Sequence, residues 1–327
     1  MKTRNLVAAL SAGVLALVVS GCSNPATDGP SSSGLPESCS ADRPAVGVAL
    51  PDTTNPYYIA MQQGFVDAGA ELGFDVKVAI ANSSDSTQLS QIESFIQQGV
   101  CAVALNAVNS GPAASSVVKL NNAGIPVFTV NVVVDEDALK TQGSTIVQYV
   151  GAGAFESGEV MGQQALKDLG ADTPLTIGYV GKPDQVQTNL RDEGFTAGIS
   201  SNPNAEVVAT VNGKIDPAVA MQVTQEMLQG NPEINVVWAN TGPAAVGALQ
   251  GIKQLGLAGK VSLYALCADG VPIDDTYRAC VAQEPAAYAG IVMENILAYI
   301  NGDDIESEIL LPMVAVTEGL PGEGLFG

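Results

Sequence analysis

Aromatic and polar side chains follow the apolar segments of this chain, and their types suit binding better than catalysis. The stretch "PDTTNPYYIAMQQGF" places Asn55 and the adjacent Tyr57 and Tyr58 directly behind a short apolar run, in a chain that is only 5% aromatic. Tyrosine rings supply contact area at a low entropic cost, and their hydroxyl groups can still form hydrogen bonds. We expect at least one of these rings to face a ligand, while the other could instead pack as core.

The other candidate residues are mostly amides, with one aromatic ring, one carboxylate and one cation. They follow later apolar runs and are Asn106, Asn131, Arg191, Trp238, Asn240, Asp269 and Gln283. Such a set can hydrogen-bond hydroxyl groups while rings stack on an apolar face, which is how proteins hold sugars. It contains no nucleophile paired with a base, and it therefore indicates a binding site.

Arg191 is the strongest single candidate. A guanidinium presents five donors in a planar fork, which suits adjacent hydroxyl groups or a carboxylate. The alternative is a structural role as counter-ion to Asp192 or Glu193. Neighbours one and two positions apart on a helix do not face each other, so we favour contact with the ligand.

Composition and motifs argue against the common classes of enzyme. The chain contains no histidine, the most frequent general base and metal ligand. The stretch "YVGAGAFESG" is similar to a dinucleotide fingerprint, but Glu156 occupies the third glycine position and would face the pyrophosphate. A glycosidase would need two carboxylates flanking a cleft. We predict a protein that is not an enzyme and that has no cofactor and no metal.

The amino-terminal segment predicts export and lipidation. Residues 1–21 have two basic residues followed by the apolar run "LVAALSAGVLALVVS", which is typical of a secretory signal and too short for a membrane span. The sequence "VVSGC" resembles a bacterial lipobox, in which Cys22 would be lipidated; an ordinary signal peptide with an incidental cysteine is the alternative. Residues 22–43 are rich in Ser, Pro and Gly and predict a flexible tether. The mature protein would be anchored on the extracytoplasmic face of the cell membrane.

The charge of the chain limits its partners. It has 34 acidic and 13 basic residues and a formal net charge of −21, with no basic cluster. Such a surface is poorly suited to nucleic acid or to anionic membranes. Contact with the membrane would come from the lipid.

Short strands rich in Val, Ile and Ala alternate with helical segments. This rhythm predicts parallel sheets covered on both faces, arranged as two doubly wound α/β lobes. The predicted strands are 45–50, 75–80, 101–106, 126–131, 146–151, 175–180, 205–211, 235–240, 261–266 and 309–316. Ligands bind outside the carboxyl ends of such strands, where the candidate residues lie.

The division into lobes follows from the same pattern. We assign residues 44–147 plus 285–308 to the N-terminal lobe, and residues 148–284 plus 309–327 to the C-terminal lobe. The hinge between them would use crossings near 146–150, 281–286 and 305–312.

Four further cysteines in an exported chain predict disulfides. They are Cys39, Cys101, Cys267 and Cys280, and three connectivities are possible. Topology favours Cys39 with Cys101, because both lie at the amino ends of neighbouring strands in a doubly wound lobe. Proximity in sequence favours Cys267 with Cys280.

The chain resembles the periplasmic sugar-binding proteins of the ribose/galactose-binding type, the solute receptors of ABC importers. The resemblance covers Ala45 to about Val316 and rests on "NPYYIAMQQGFVDAGAELGF", "LNAVNS", "AGIPVFTVN", "NLRDEGF", "VVWANTGPAAVGAL" and "VAQEPAAYAG". It implies the type I periplasmic binding protein fold, in which a multi-strand hinge joins two parallel-sheet lobes that close on the ligand. It also implies ligand contacts for Asn55, Tyr57, Tyr58, Asn106, Arg191, Asn240 and Gln283.

Three positions depart from the pattern of the family. Asn131-Val132 stands where the family usually has Asp-Arg, Cys267 where it has Asp, and Gly153-Ala154 where it has Asp-Asn. The resemblance therefore implies a pocket that is less charged and more apolar than a pentose site. A deoxy sugar, a polyol or a less polar small molecule becomes a credible ligand.

These observations predict an extracytoplasmic solute-binding lipoprotein. It would capture a sugar or sugar-like molecule in the interlobe cleft and deliver it, as a monomer, to the permease subunits of an ABC transporter. The alternative is a ligand sensor that signals to a membrane kinase, since its fold and pocket would be the same.

Overall fold

The N-terminal lobe is built on a six-stranded parallel sheet. The computed structural model describes residues 34–327. The strands of this lobe are β1 (Ala45–Leu50), β2 (Asp75–Ile80), β3 (Ala102–Leu105), β4 (Val127–Val130), β5 (Gln148–Ala152) and β11 (Glu308–Leu311). They pair in the order β11-β5-β4-β3-β1-β2. Its helices are α1 (Pro56–Leu72), α2 (Asp85–Gln98), α3 (Ser110–Asn122), α4 (Glu136–Gln142) and α9 (Pro285–Asn301).

The C-terminal lobe repeats this plan with one antiparallel edge. Its strands are β6 (Leu175–Gly181), β7 (Ala205–Asn212), β8 (Val236–Ala239), β9 (Ser262–Leu266), β10 (Tyr277–Ala282) and β12 (Val314–Val316). They pair in the order β12-β10-β9-β8-β6-β7, with β12 antiparallel to β10. Its helices are α5 (Ala154–Leu169), α6 (Val186–Ile199), α7 (Pro217–Gly230) and α8 (Gly242–Gln254). The predicted fold class of two parallel-sheet α/β lobes is confirmed.

The structure moves the boundaries between the lobes. Strand β5 pairs with β4 in the N-terminal sheet, so the boundary predicted between residues 147 and 148 lies five residues too early. The predicted closing strand 309–316 is in fact β11 and β12, which join different sheets on either side of Pro312 and Met313. Proline lacks the N–H group that a continuous strand needs, which explains a break at this point.

Three chain segments therefore cross between the lobes. They lie at Gly153, at Gln283–Glu284 and at Pro312–Met313. The second falls inside a predicted hinge segment and the third begins at the end of one. The first lies after the predicted segment because an apolar run does not show which of two sheets it joins.

The residues that begin α1 fix the position of the two adjacent tyrosines. Asn55 caps the helix, and its side-chain oxygen accepts a hydrogen bond of 3.0 Å from the N–H group of Tyr57. Pro56 occupies the first turn, where its missing N–H group is not needed. The helix ends at Gly73, whose φ of 82° lies in the left-handed region that favours glycine. The first turn of α1 thus follows closely on β1 and projects Tyr57 and Tyr58 beyond the edge of the sheet.

Close packing of α5 against α6 sets the position of Arg191. A Cβ atom at Gly158 would overlap the carbonyl oxygen of Arg191, and one at Gly194 would overlap the carbonyl oxygen of Phe155. The two glycines allow the helix backbones to touch. Arg191 is therefore held on a helix that has little room to shift.

Both predicted disulfides are present. Cys39 pairs with Cys101 and Cys267 with Cys280, with Cα atoms 4.7 and 4.9 Å apart. The first bond attaches a short 3-10 turn, Glu37–Ser40, to the N-terminal lobe. The tether predicted over residues 22–43 therefore joins the lobe before Arg43. Cys22 and the predicted signal segment lie outside the described residues.

Within residues 34–327, each helix is too short or too polar to span a lipid bilayer.

Candidate ligand-binding cleft

Eleven residues from both lobes line a cavity at the carboxyl ends of the two sheets. They are Asn55, Tyr57, Tyr58, Asn131, Gln185, Gln187, Arg191, Ile215, Thr241, Gln283 and Gly327. The cavity has a free volume of about 20 Å³, which is room for roughly one water molecule. A sugar could enter this cleft only if the lobes separated.

The N-terminal lobe contributes an aromatic wall. Tyr57 and Tyr58 are 3% and 4% exposed, and their rings meet edge to face with centroids 5.4 Å apart. The hydroxyl group of Tyr57 donates to the side-chain oxygen of Gln283, 3.4 Å away at the hinge. Both adjacent tyrosines thus line the cleft, and together they form its aromatic wall.

Asn131 completes this wall from the end of β4. Its φ of 61° places it in the left-handed region, which asparagine tolerates better than most residues. The N–H group of Asn131 donates to the carbonyl oxygen of Val150, and its own carbonyl oxygen accepts from the Tyr149 hydroxyl group at 3.0 Å. The backbone is therefore anchored on both sides while the side chain lines the cavity.

Four buried tyrosines near the cleft stay neutral. Burial raises the pKa of Tyr57, Tyr58, Tyr149 and Tyr288 well above the ordinary value of a phenol. The charge of Arg191 acts in the opposite direction on each pKa and does not overcome burial. At neutral pH these side chains keep their O–H groups.

The C-terminal lobe contributes a polar wall around Arg191. Arg191 is 5% exposed, and its terminal nitrogen donates to the carbonyl oxygen of Asn240 at 3.0 Å. Its Nε atom has no hydrogen-bond partner among the described residues. Burial lowers the pKa of Arg191, although a guanidinium keeps its proton in proteins.

The carboxylate of Asp192 accepts hydrogen bonds from residues other than Arg191. One of its carboxylate oxygens accepts from the indole nitrogen of Trp238 at 2.8 Å and from the amide of Asn240 at 2.9 Å. Burial raises the pKa of Asp192 to about 6, against the hydrogen bonds that lower it. Asp192 forms no ion pair with Arg191 in the part of the chain that the structure describes. The charge of Arg191 also lowers the pKa of Asp192, so the two groups interact electrostatically without forming a direct ion pair.

Six of the ten predicted residues line the cavity. They are Asn55, Tyr57, Tyr58, Asn131, Arg191 and Gln283. Asn106 and Asn240 are fully buried behind the lining; the amide of Asn106 contacts the sulfur of Met61 at 3.3 Å. The side-chain oxygens of both asparagines lack partners among the described residues.

Two predicted residues are placed elsewhere. Trp238 is fully buried and stacks on Phe195, with ring centroids 4.8 Å apart. It lies within β8 rather than after it, so α6 covers its ring and keeps it in the core. Asp269 is exposed and lines an adjoining cavity of about 320 Å³, which shares Asn55, Ile215 and Gly327 with the first cavity. Neither Trp238 nor Asp269 lines the first cavity.

Five lining residues are not among the predicted site residues, although the position of three of them in the sequence could have indicated them. Gln185 and Gln187 follow β6, and Thr241 follows β8, so the strand-end rule could have found them. Ile215 has a φ of 55°, which is rare for a β-branched residue and not visible in the sequence.

Gly327 reaches the cavity through a long-range contact. The main chains of Phe326 and Gln283 exchange two hydrogen bonds, of 2.6 and 2.8 Å. This bridge brings the segment Leu325–Gly327 to the hinge side of the cleft, where Gly327 packs against the backbone of Cys267. No local pattern in the sequence indicates this return of the chain.

A latch of hydrogen bonds holds the two lobes together beside the cavity. Gln185 donates to the carbonyl oxygen of Val108 at 2.8 Å, and the N–H group of Val186 donates to the Ser110 hydroxyl group at 2.9 Å. Lys182 donates to the side chain of Asn109 and, at 3.4 Å, to the carbonyl oxygen of Val108. We call residues 108–110 and 182–186 the interlobe latch.

These features are those of a two-lobed receptor whose ligand site lies between lobes that meet at a hinge. The sequence matches the family described as periplasmic binding protein domain over residues 46–304. The chain belongs to this family. Among the residues described, no group of His, Cys, Asp and Glu side chains could hold a metal ion.

Individual relatives of this periplasmic binding protein are distant but span most of its length. The ribose import binding protein of Bacillus subtilis is 24% identical over 275 residues, which are 84% of this chain and 87% of that protein. A protein from Mycobacterium smegmatis in complex with β-D-fucofuranose has a TM-score of 0.75 and 25% identity, covering 84% of this chain and 91% of that one. An ABC transporter solute binding protein from Bacillus halodurans with bound myo-inositol has a TM-score of 0.75 and 23% identity, covering 85% and 96%.

Proposed function

We propose that this periplasmic binding protein captures a sugar or a sugar-like polyhydroxy molecule in the interlobe cleft and presents it to the permease of an ABC importer. The observation that carries the proposal is the lining of the cleft. A pair of tyrosine rings faces an arginine and several amides, all of them at the carboxyl ends of two hinged sheets. Rings can stack on the apolar face of a sugar while amides donate to and accept from its hydroxyl groups.

The relatives support the same ligand class. Those with curated names include ribose and D-allose binding proteins, and the solved structures include complexes with a furanose and with an inositol. Import is also the role in the ribose protein's name, which favours delivery to a permease over signalling to a membrane kinase. The relatives named above are binding proteins, which supports a receptor rather than an enzyme.

The site itself is proposed as the six lining residues that the sequence predicts, with Gln185, Gln187 and Thr241 added from the structure. Asn106 and Asn240 would act from behind the lining by holding the residues in front of them. The lobes would close by a hinge at the three crossings, with the interlobe latch forming last.

A ligand screen by thermal unfolding of the full mature protein tests this function. The panel contains sugars, alditols, inositols and sugar acids. A ligand at about 100 times its dissociation constant should raise the free energy of unfolding by about 2.7 kcal/mol. Arg191→Ala should lose the response, and Arg43→Ala, an arginine that donates to Phe74 at the other end of the sheet, should keep it. If no polyhydroxy compound stabilises the protein, the proposed function is wrong.

We further propose that Cys22 carries the lipid anchor and that the protein works as a monomer on the extracytoplasmic face of the membrane. The lipobox-like "VVSGC" and the Ser- and Pro-rich segment after it support this. Labelling cells with a palmitate analogue should mark the wild-type chain. Cys22→Ser should abolish the label and release the protein, and a Cys22→Ser chain that stays labelled would refute the anchor.

A further inference from the structure

Arg191 is a buried cation that the protein itself leaves largely unpaired. Its hydrogen bond to the carbonyl oxygen of Asn240 satisfies one terminal nitrogen, and its Nε atom has no partner within residues 34–327. No carboxylate of that range forms an ion pair with it. Buried charges in proteins are normally paired, because the loss of hydration otherwise costs several kcal/mol.

Two acidic side chains beside the cleft, Asp192 and Asp52, already accept hydrogen bonds from other groups. Asp192 accepts from Trp238 and Asn240 on the far side of the lining. Asp52 accepts from the N–H groups of Thr54 and Asn55, while its second oxygen accepts from Ser83. The residues that line the cavity include no acidic side chain.

The tyrosine hydroxyl groups around Arg191 add no negative charge, and although those of Tyr57 and Tyr149 already donate to Gln283 and Asn131, that of Tyr58 has no acceptor among the described residues. Four tyrosines lie close enough to Arg191 that a negative charge on any of them would raise its pKa. They are Tyr57, Tyr58, Tyr149 and Tyr288. Burial keeps these hydroxyl groups protonated. The hydroxyl group of Tyr288 has no partner among the described residues and is itself free to donate.

A cationic fork with neutral O–H donors around it is a site for an anion. A carboxylate can accept two parallel N–H bonds from a guanidinium and further bonds from phenols. The remaining lining consists mostly of amides, which both donate and accept and so suit hydroxyl groups. A single cation matches one negative charge, whereas a phosphate at neutral pH carries more.

We propose that the ligand is a polyhydroxy monocarboxylate, a sugar acid of the aldonate or uronate class, whose carboxylate pairs with Arg191. This inference rests on the proposed function and narrows it from sugars in general to acidic sugars. It assigns the aromatic wall to the carbon skeleton and the amides to the hydroxyl groups.

Titration calorimetry with matched pairs of compounds tests the inference on the full mature protein. The pairs are galactose with galacturonate, ribose with ribonate and arabinose with arabinonate, and ribose 5-phosphate serves as the dianionic comparison. We expect at least one acid to bind at least tenfold more tightly than its neutral parent and more tightly than the phosphate. Arg191→Gln should abolish the preference, Arg191→Lys should keep it at lower affinity, and Arg43→Gln should change nothing.

The possible outcomes separate this inference from the function on which it rests. Tight binding of neutral sugars without a preference for any acid would overturn the inference and leave sugar binding intact. A preference for the phosphate would overturn the assignment to a monocarboxylate. An acid preference that survives in Arg191→Gln would show that another group holds the carboxylate. Failure of every compound would overturn both proposals.

Discussion

The two walls of the cleft are built in different ways. Tyr57 and Tyr58 on the N-terminal lobe belong to the hydrophobic core, where they pack with Met61 and Phe65. Arg191 on the C-terminal lobe is a buried charged side chain, and its Nε atom has no hydrogen-bond partner among the described residues.

This difference implies that the two walls contribute differently to stability and to ligand binding. An aromatic wall that is part of the core stabilises the lobe and offers the ligand a rigid surface. A polar wall with unpaired groups contributes little to the free energy of unfolding, and these groups remain able to form hydrogen bonds with the ligand. Substitutions in the first wall should therefore change stability and affinity together, while those in the second should change mainly affinity.

Tyr58→Ala should have the largest effect on stability. Truncating a buried aromatic ring leaves a cavity, and we expect the free energy of unfolding to fall by about 3–5 kcal/mol, together with weaker ligand binding. Tyr58→Phe is the matched control, since it keeps the ring and removes only the hydroxyl group, which donates no hydrogen bond recorded among the described residues. Urea unfolding measures both variants. A stable Tyr58→Ala protein would show that this wall is not part of the core.

Arg191→Ala should weaken ligand binding by about 2–5 kcal/mol, because a group of the bound ligand would be left buried and unpaired. The fold should remain intact, since residues 34–327 make a single hydrogen bond to this side chain. Arg191→Lys should recover part of the affinity. Calorimetry with the ligand from the screen measures binding, and unfolding curves measure stability. Unchanged affinity in Arg191→Ala would refute the assignment of the polar wall.

Asp192→Asn should stabilise the protein at pH 7. Burial raises the pKa of Asp192 to about 6, so the folded protein holds this proton over a pH range in which the unfolded chain, with a pKa near 3.8, has lost it. The stability that this protonation contributes is complete below about pH 4 and is lost as the pH rises through about 6.

An asparagine at position 192 stays neutral and can accept the same two hydrogen bonds. Its advantage over the wild type should be about 2–3 kcal/mol at pH 7 and should vanish near pH 4. Urea unfolding at both pH values checks this, with Glu193→Gln as an exposed neighbour for control. An equal effect at both pH values would mean that burial of this carboxylate does not cost stability.

Lys182→Met should have the smallest effect of the four substitutions, a weakening of the interlobe latch. It removes the bonds to Asn109 and Val108, and a hydrogen bond typically contributes about 1 kcal/mol. Solution scattering of the protein without added ligand should show a larger radius of gyration than the wild type. Lys260→Met, an exposed lysine next to β9, is the control. If the radius does not change, other contacts hold the lobes.

Much of the fold could be predicted because its signals are local. Continuous apolar strands, the Asn55-Pro56 helix start and the glycine ends of helices depend on neighbours in sequence. The strand-end rule then led to Asn131 and Arg191, since parallel strands end at a common edge. Gln283 follows β10, which is not among the predicted strands, and the family resemblance indicated it. Trp238 failed the same rule because a residue within a strand is covered by the helix that packs on it.

The amino-acid sequence by itself predicted two α/β lobes, a binding site of amides and tyrosines with one arginine, and disulfides among four cysteines with three possible connectivities. Only the tertiary structure decided that β5 and β11 join the first sheet, that Phe326 returns the chain to Gln283, and that Arg191 forms no ion pair with a carboxylate of residues 34–327. The physical reason is the same in each case. These features depend on contacts between segments far apart in the chain, and the free energy of such contacts is set by packing in three dimensions, which leaves no periodicity for a local pattern to reveal.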